Sequence, residues 1–231
     1  RQMCIRDRRR HTLAFVVPTG GSLASAATLT HSKIDVVLAT IGVLAWVACH
    51  QGDYVTVVAP GQDGPSVARP SYRDTQIEHM LAGLDAGCRL EAPDPDLVEL
   101  LDLTASGLRR RCIVVVVLDD WDPRPADVDA LASLCARHEV LAIEVSDLDL
   151  TDPALAAVPT RDQASGQPVP GFVARDRQVR EQAVAARQER ARRRGHTLDR
   201  LGIIHESVAD VDDSIAAIVR LLERMRHASR H

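Results

Sequence analysis

Lysine, aromatic residues and paired cysteines are what this chain of 231 residues has least of. Lys33 is the single lysine among 28 basic residues, the rest being arginine, a bias typical of GC-rich coding. Aromatics make up 3%, so the interior has to be built from Val, Leu, Ile and Ala. The five cysteines, at 4, 49, 88, 112 and 135, form no C-x-x-C pair and are odd in number. That excludes a disulfide framework and a zinc site and reads as a reducing, cytosolic setting. Cys49 and Cys112 lie inside apolar runs, where cysteine serves as a small buried hydrophobe. Positive charge is also in short supply: the net charge is −4 and the pI about 6.1. The first ten residues carry five Arg and one Asp, so the remainder has 23 basic against 31 acidic residues, or −8. A nucleic-acid partner is therefore not expected. The longest apolar stretch, 36–49, is broken by Thr40 and Gly42. It falls short of the roughly 18 residues a membrane span needs, and no secretory-leader pattern is visible.

What is present is a globular composition, 45% hydrophobic and 26% charged. One domain of this length buries a full core. The opening octet RQMCIRDR resembles a translated adapter read, so residues 1–9 are expected to be a non-native extension to a single domain over 10–231.

Hydrophobic periodicity gives the order of elements. Residues 12–17 predict a strand ending in a Pro-Thr-Gly-Gly loop, and 22–31 a flexible loop. Ser32 is placed to cap a helix running to about His50, with Asp35 in its first turn; being apolar nearly all round, that helix has to be covered on several sides. Strands follow at 54–59, 111–118, 140–145 and 202–206. Helices are predicted at 74–86, 95–106, 126–138, 175–194 and 211–225. Residues 60–70 read as a loop or hairpin tip, and 151–171 as a surface excursion. The unbroken β-branched run 113–118 marks a strand buried on both faces, hence a central parallel strand. Strand–helix alternation of this kind predicts an α/β fold with a mostly parallel sheet between helical layers. In such sheets function gathers at the carboxyl ends of the strands, here Pro18–Ser22 and Asp119–Asp122.

Motif chemistry at those ends is sparse. Pro18-Thr19-Gly20-Gly21-Ser22 lacks the Gly-Lys-Ser/Thr ending of a P-loop, and Lys33 stands too far on to repair it. Gly20-Gly21-Ser22-Leu23-Ala24 loosely matches a nucleophile elbow, but the flexible residues expected before the next helix would deny Ser22 its strained turn. Asp119, Asp120 and Asp122 are hard oxygen donors suited to Mg²⁺. Pro18, at the end of the first strand, supplies no ligand to join them, and Asp122-Pro123 is ordinary turn chemistry. His205 reads as a packed strand residue, and Arg190 and Arg192–Arg194 as a solvated face near a helix carboxyl end.

Taken in order, several segments resemble the von Willebrand factor A-like domain of the domain-of-unknown-function 58 family. They are the strand and loop 13–22; Ser32-Lys33-Ile34-Asp35 opening a long apolar helix; Gln51-Gly52-Asp53; the strand and acidic turn 115–121; Arg137-His138-Glu139-Val140-Leu141-Ala142; and the Arg-rich helix followed by Gly202-Ile203-Ile204-His205 and a closing helix. The likeness covers about residues 10–228. It implies a six-stranded Rossmann-like three-layer sandwich in a bacterial protein whose upstream region carries membrane helices and a β-rich domain. This domain itself is expected to be cytoplasmic.

The resemblance also implies a non-catalytic adaptor or assembly factor working with a MoxR-type AAA+ ATPase. Such domains often hold Mg²⁺ in a metal-ion-dependent adhesion site whose first loop reads Asp-x-Ser-x-Ser, with a Thr and an Asp from two further loops. Here the positions read Pro18, Gly20, Ser22, Pro95 and Asp120, so only Ser22 and Asp120 survive. A degenerate site follows, with no required cofactor and at most weak Mg²⁺ binding. The partner surface is expected at Thr19, Gly20, Gly21, Ser22, Asp94, Asp96, Asp120 and Asp122. The alternative expectation is a Mg²⁺-dependent phosphotransfer or hydrolase enzyme using Asp119, Asp120 and Asp122.

Overall fold

A computed structural model describes residues 11–228 apart from positions 63, 153, 156, 157 and 164, so the 1–9 extension lies outside the described residues. Its elements run β1 (Thr12–Val16), α1 (Gly21–Ala24), α2 (Lys33–His50), β2 (Tyr54–Gly61), β3 (Gly64–Val67), α3 (Asp74–Gly87) and α4 (Leu97–Gly107). They continue β4 (Ile113–Leu118), α5 (Pro125–Cys135), β5 (Glu139–Val145), α6 (Phe172–Arg175), α7 (Arg177–Arg200), β6 (Ile204–Val208), a 3₁₀ turn (Val211–Asp213) and α8 (Ser214–Ala228).

The strands form one six-stranded sheet in the order β3-β2-β1-β4-β5-β6. All neighbours are parallel except β3, which pairs antiparallel with β2. The apolar run 113–118 is the central strand, as expected: Val115 stands in register with Phe15 on one side and Leu141 on the other.

Side-chain alternation splits the core in two. Odd-numbered residues of the central strands, Phe15, Val115, Val117, Leu141 and Ile143, pack against α2, α3 and α8. Even-numbered ones, Ala14, Val16, Val114, Val116 and Ala142, pack against α4, α5 and α7. The result is the predicted three-layer α/β sandwich.

The caps explain the helix ends. Ser32 and Asp35 form a reciprocal capping box at the start of α2, with Ser32 N–H donating to Asp35 Oδ2 at 2.8 Å. The Ser32 bond holds the Asp35 carboxyl below its ordinary value. Gly52 at φ 84° and Gly202 at φ 70° follow the ends of α2 and α7, the left-handed positions that favour glycine. By length and composition α2 is apolar enough to cross a membrane, but half of that stretch is buried inside the fold. It packs on β1, β2 and β5 and against α3 and α8.

Three local expectations are corrected. Residues 60–70 contain an edge strand, β3, whose Pro65 is tolerated because an edge needs no ladder on its outer side. The 22–31 loop opens with one helical turn, α1, so Ser22 does sit in a strand–turn–helix connection. The charged helix continues past Arg194 to Arg200.

Candidate functional site

The strand order reverses between β1 and β4, which opens a crevice at their carboxyl ends. A cleft of about 590 Å³ lies there, between Pro18 and Ser22 of the first loop, Asp94 and Asp96 before α4, and Asp119 to Trp121 after β4.

Ser22 enters from α1. Its backbone N–H donates to Asp94 Oδ1 at 2.7 Å, and the Gly21 N–H donates to Ala92 O at 3.1 Å. The loop before α4 is pressed against the two glycines. A Cβ on Gly20 would stand 2.6 Å from Asp94 Oδ1, and one on Gly21 would stand 2.8 Å from the carbonyls of both Leu90 and Ala92. Thr19, Gly20 and Gly21, expected on the partner surface, are therefore buried, and they shape the loop rather than face outward. Asp94, Asp96, Asp120 and Asp122 are exposed on the rim.

The Ser22 hydroxyl donates to Asp119 Oδ2. Ser22 and Asp120 were expected to share a metal, but the turn after β4 sends the two carboxylates to opposite sides of the sheet. Asp119 continues the odd-numbered face toward α2, and Asp120 the even-numbered face toward α7. Asp120 Oδ1 accepts from Arg194 Nη1 at 2.7 Å, and its Oδ2 lies 3.4 Å from Arg190 Nε. Asp122 stands apart from both pairs on the rim. Among the described residues, no three His, Cys, Asp or Glu side chains come together to hold a metal ion.

Lys33, in the first turn of α2, reaches back into the same place. Its Nζ donates to Ser22 Oγ at 3.2 Å, to Asp119 Oδ2 at 3.4 Å and to Asp147 Oδ1, after β5, at 2.5 Å. Serine donates to aspartate, as a nucleophile donates to its base, but the accepting Asp119 carboxylate is shared with the Lys33 ammonium, which makes it a weak base for a serine hydroxyl. The N–H groups of Gly21 and Ser22 are already donated to protein oxygens.

On the α7 side, Arg194 Nε donates to Glu144 Oε2 at 3.0 Å, and Glu144 Oε1 lies 2.9 Å from His205 Nδ1. Burial pushes the Glu144 carboxyl up, but the bonds to His205 and Arg194 together hold it below its ordinary value. The same bond to Glu144 raises His205 against the opposing effect of burial. Arg187 Nη2 donates to the Asp147 carbonyl at 3.0 Å. Arg187, Arg190 and Arg194 thus form one stripe of α7 that clamps the β4 and β5 ends. Arg190 and Arg194 are not the solvated face expected of them, and Arg194 is 9% exposed. At the start of α5 the buried Asp127 accepts from the Arg124 backbone N–H at 3.0 Å and from Trp121 Nε1 at 3.1 Å. Burial raises the Asp127 carboxyl, and the Arg124 and Trp121 bonds outweigh it to leave it lowered.

Lys33, Asp119 as the partner of Ser22, Asp147, Glu144 and Arg194 were missed by motif reading. Two signals were available. A cation in a helix's first turn opposes the macrodipole and so asks for another reason to be there. The period of two along β4 carries Asp119, not Asp120, onto the face of α2.

The model of the family described as Protein of unknown function DUF58 matches residues 3–193. No curated protein matches the chain. Among solved structures, the conserved hypothetical protein BatB from Bacteroides thetaiotaomicron superposes with a TM-score of 0.55 at 13% identity, over 94% of this chain and 99% of that one. An aerotolerance-related membrane protein from Bacteroides fragilis NCTC 9343 superposes at 0.52 with 14% identity, over 93% and 99%. A von Willebrand factor type A structure from Catenulispora acidiphila gives 0.42 at 15% identity, over 68% and 40%. The two Bacteroides structures share the fold described above. With the family match spanning most of its length, this chain belongs to the DUF58 family of proteins of unknown function.

Proposed function

We propose that this domain is a non-catalytic protein-interaction module with a degenerate metal-ion-dependent adhesion site. Its strand-end rim would dock a MoxR-type AAA+ ATPase in an adaptor or assembly role. The observation that carries this reading is that the polar groups a strand-end reactive centre would use are committed internally. The N–H groups of Gly21 and Ser22 are donated to protein oxygens, and the Ser22 hydroxyl is donated to Asp119. Pro18, Gly20 and Pro95 bring no side-chain oxygen to the metal-ligand positions, and Asp120 is committed to Arg194. What the rim offers a partner is the exposed carboxylate of Asp122, flanked by those of Asp94 and Asp96, which are exposed but already accept from the Ser22 N–H and from Arg124 Nη2. They suit a basic docking surface, with charge complementarity setting encounter rate and register. The domain is read as the cytoplasmic part of a membrane-anchored parent, in line with the membrane protein from Bacteroides fragilis that shares its fold.

The test is binding of a purified MoxR-type ATPase to the wild type and to Asp122→Lys and Asp96→Lys, across a salt series. Reversing the rim charge is expected to weaken binding at least tenfold, or about 1.4 kcal/mol. The salt dependence should weaken as well. Equal binding by all three proteins means that this face is not the docking surface.

A further inference from the structure

The side chain of Lys33 is 2% exposed, and its ammonium lies where oxygens from three separate loops converge. The hydroxyl of Ser22 follows β1, the carboxylate of Asp119 follows β4, and the carboxylate of Asp147 follows β5. All three accept from Nζ, at 3.2, 3.4 and 2.5 Å. Hydroxyl and carboxylate oxygens are the hard donors that bind Mg²⁺ or Ca²⁺. The position such an ion would take is filled by a charge covalently tied to α2, so a resident divalent ion does not fit this donor set.

We propose that Lys33 is the built-in cation of the strand-end face. It gathers the three loops as a divalent ion would, and makes the face independent of metal. This rests on the reading of that face as a docking surface and adds its regulation: partner binding is constitutive and is not switched by Mg²⁺ or Ca²⁺. The charge pattern agrees. The Asp119 and Asp147 side chains are 25% and 40% exposed, so one ammonium facing them removes most of their mutual repulsion, and they in turn compensate the buried charge of Lys33. A tethered ammonium is also always present at high local concentration, which a dissolved ion at millimolar concentration does not match.

The experiment is thermal unfolding of the full chain in EDTA and in millimolar Mg²⁺, Ca²⁺ or Mn²⁺, for the wild type, Lys33→Ala and Lys33→Met. The wild-type midpoint is expected to be the same in all four solutions. Lys33→Ala should melt lower in EDTA and recover several degrees with a divalent ion, because the vacated space admits the ion to the same three oxygens and a ligand of the native state alone raises the midpoint. Lys33→Met keeps the stem but not the charge, so it should melt lower and stay low with metal.

A wild-type midpoint that rises with divalent ions overturns the proposal, as does a folded Lys33→Ala protein indifferent to them. If Lys33→Ala folds in none of the solutions, Lys33→Met combined with Asp147→Asn decides. Removing a carboxylate that has lost its cation should raise the midpoint above that of Lys33→Met alone, and a further fall rejects the proposal. No partner is used, so a failed ATPase-binding experiment and a failed metal experiment are scored separately.

Discussion

Arg194 of α7 donates from Nε to Glu144 Oε2 of β5 at 3.0 Å, with each side chain only 11% exposed. This pair anchors the long helix to the sheet and, through Arg194 Nη1 and Asp120, to the turn after the central strand. Removing one partner of a buried pair leaves the other uncompensated. Arg194→Ala is therefore expected to lower stability by about 3 kcal/mol in urea unfolding. Arg194→Met with Glu144→Leu should regain only part of that loss, because the two apolar side chains remove the buried pair but leave Asp120 and His205 without these partners.

The Glu144–His205 contact contributes to both limbs of the pH profile, with Asp35 and Asp127 adding to the acid one. Glu144 has a lowered pKa in the folded state, so its contribution is present above the ordinary glutamate value of 4.5 and is lost as pH falls through the folded value. His205 has a raised one, so its contribution is complete below 6.5 and is lost as pH rises through the folded value. Stability measured by urea midpoint should therefore peak between these two limits. Glu144→Gln should flatten the basic limb and shrink the acid one; an unchanged profile would mean that the pair is not what titrates.

Two glycines should respond in opposite directions to alanine. At Gly21 a methyl group meets the backbone carbonyls of Leu90 and Ala92 at 2.8 Å, neither of which yields easily. Gly21→Ala is expected to cost about 1–3 kcal/mol as an overpacked position. Gly83, inside α3, has nothing within 4 Å of the added atom. Gly83→Ala should stabilise by about 1 kcal/mol through helix propensity. Calorimetric midpoints for the two variants check the contrast.

Val115→Asp places a charge with no partner in the middle of β4, at a position 1% exposed between Phe15 and Leu141. Loss of several kcal/mol, or failure to fold, is expected. A soluble variant with a cooperative transition near that of the wild type would contradict the central placement of this strand.

The thiols of Cys49, Cys88, Cys112 and Cys135 are all raised by burial, Cys88 to about 11. Thiolate, not thiol, is the reactive form. In a Cys4→Ser protein at neutral pH, labelling by a thiol-disulfide reagent should be slow in buffer and fast in denaturant. Rapid labelling of the native protein would show that at least one thiol is more open than its packing indicates.

How much of this was legible in the chain depends on the range of the interaction. The β-branched run of β4 and the Ser32–Asp35 capping box gave their elements with nearly correct ends, because both signals lie within a few residues of the structure they specify. β3 went unread because a four-residue strand containing Pro65 carries no pattern of its own and exists by pairing with β2. Ser22 was paired with Asp120 on the strength of the motif, whereas in the structure its hydroxyl meets Asp119. The motif was aligned by spacing, whereas the side-chain alternation of an extended chain puts Asp119 on the α2 side.

By itself, the order of apolar periods, caps and turn residues determined a parallel α/β sandwich and pointed to its strand ends, since each of those signals is local and cumulative. Only the tertiary structure decided that Lys33, Ser22, Asp119 and Asp147 meet, and that Arg194 closes on Glu144 and Asp120. Such contacts depend on which loops the sheet order brings side by side, and no spacing along the chain records the distance between charges across a fold.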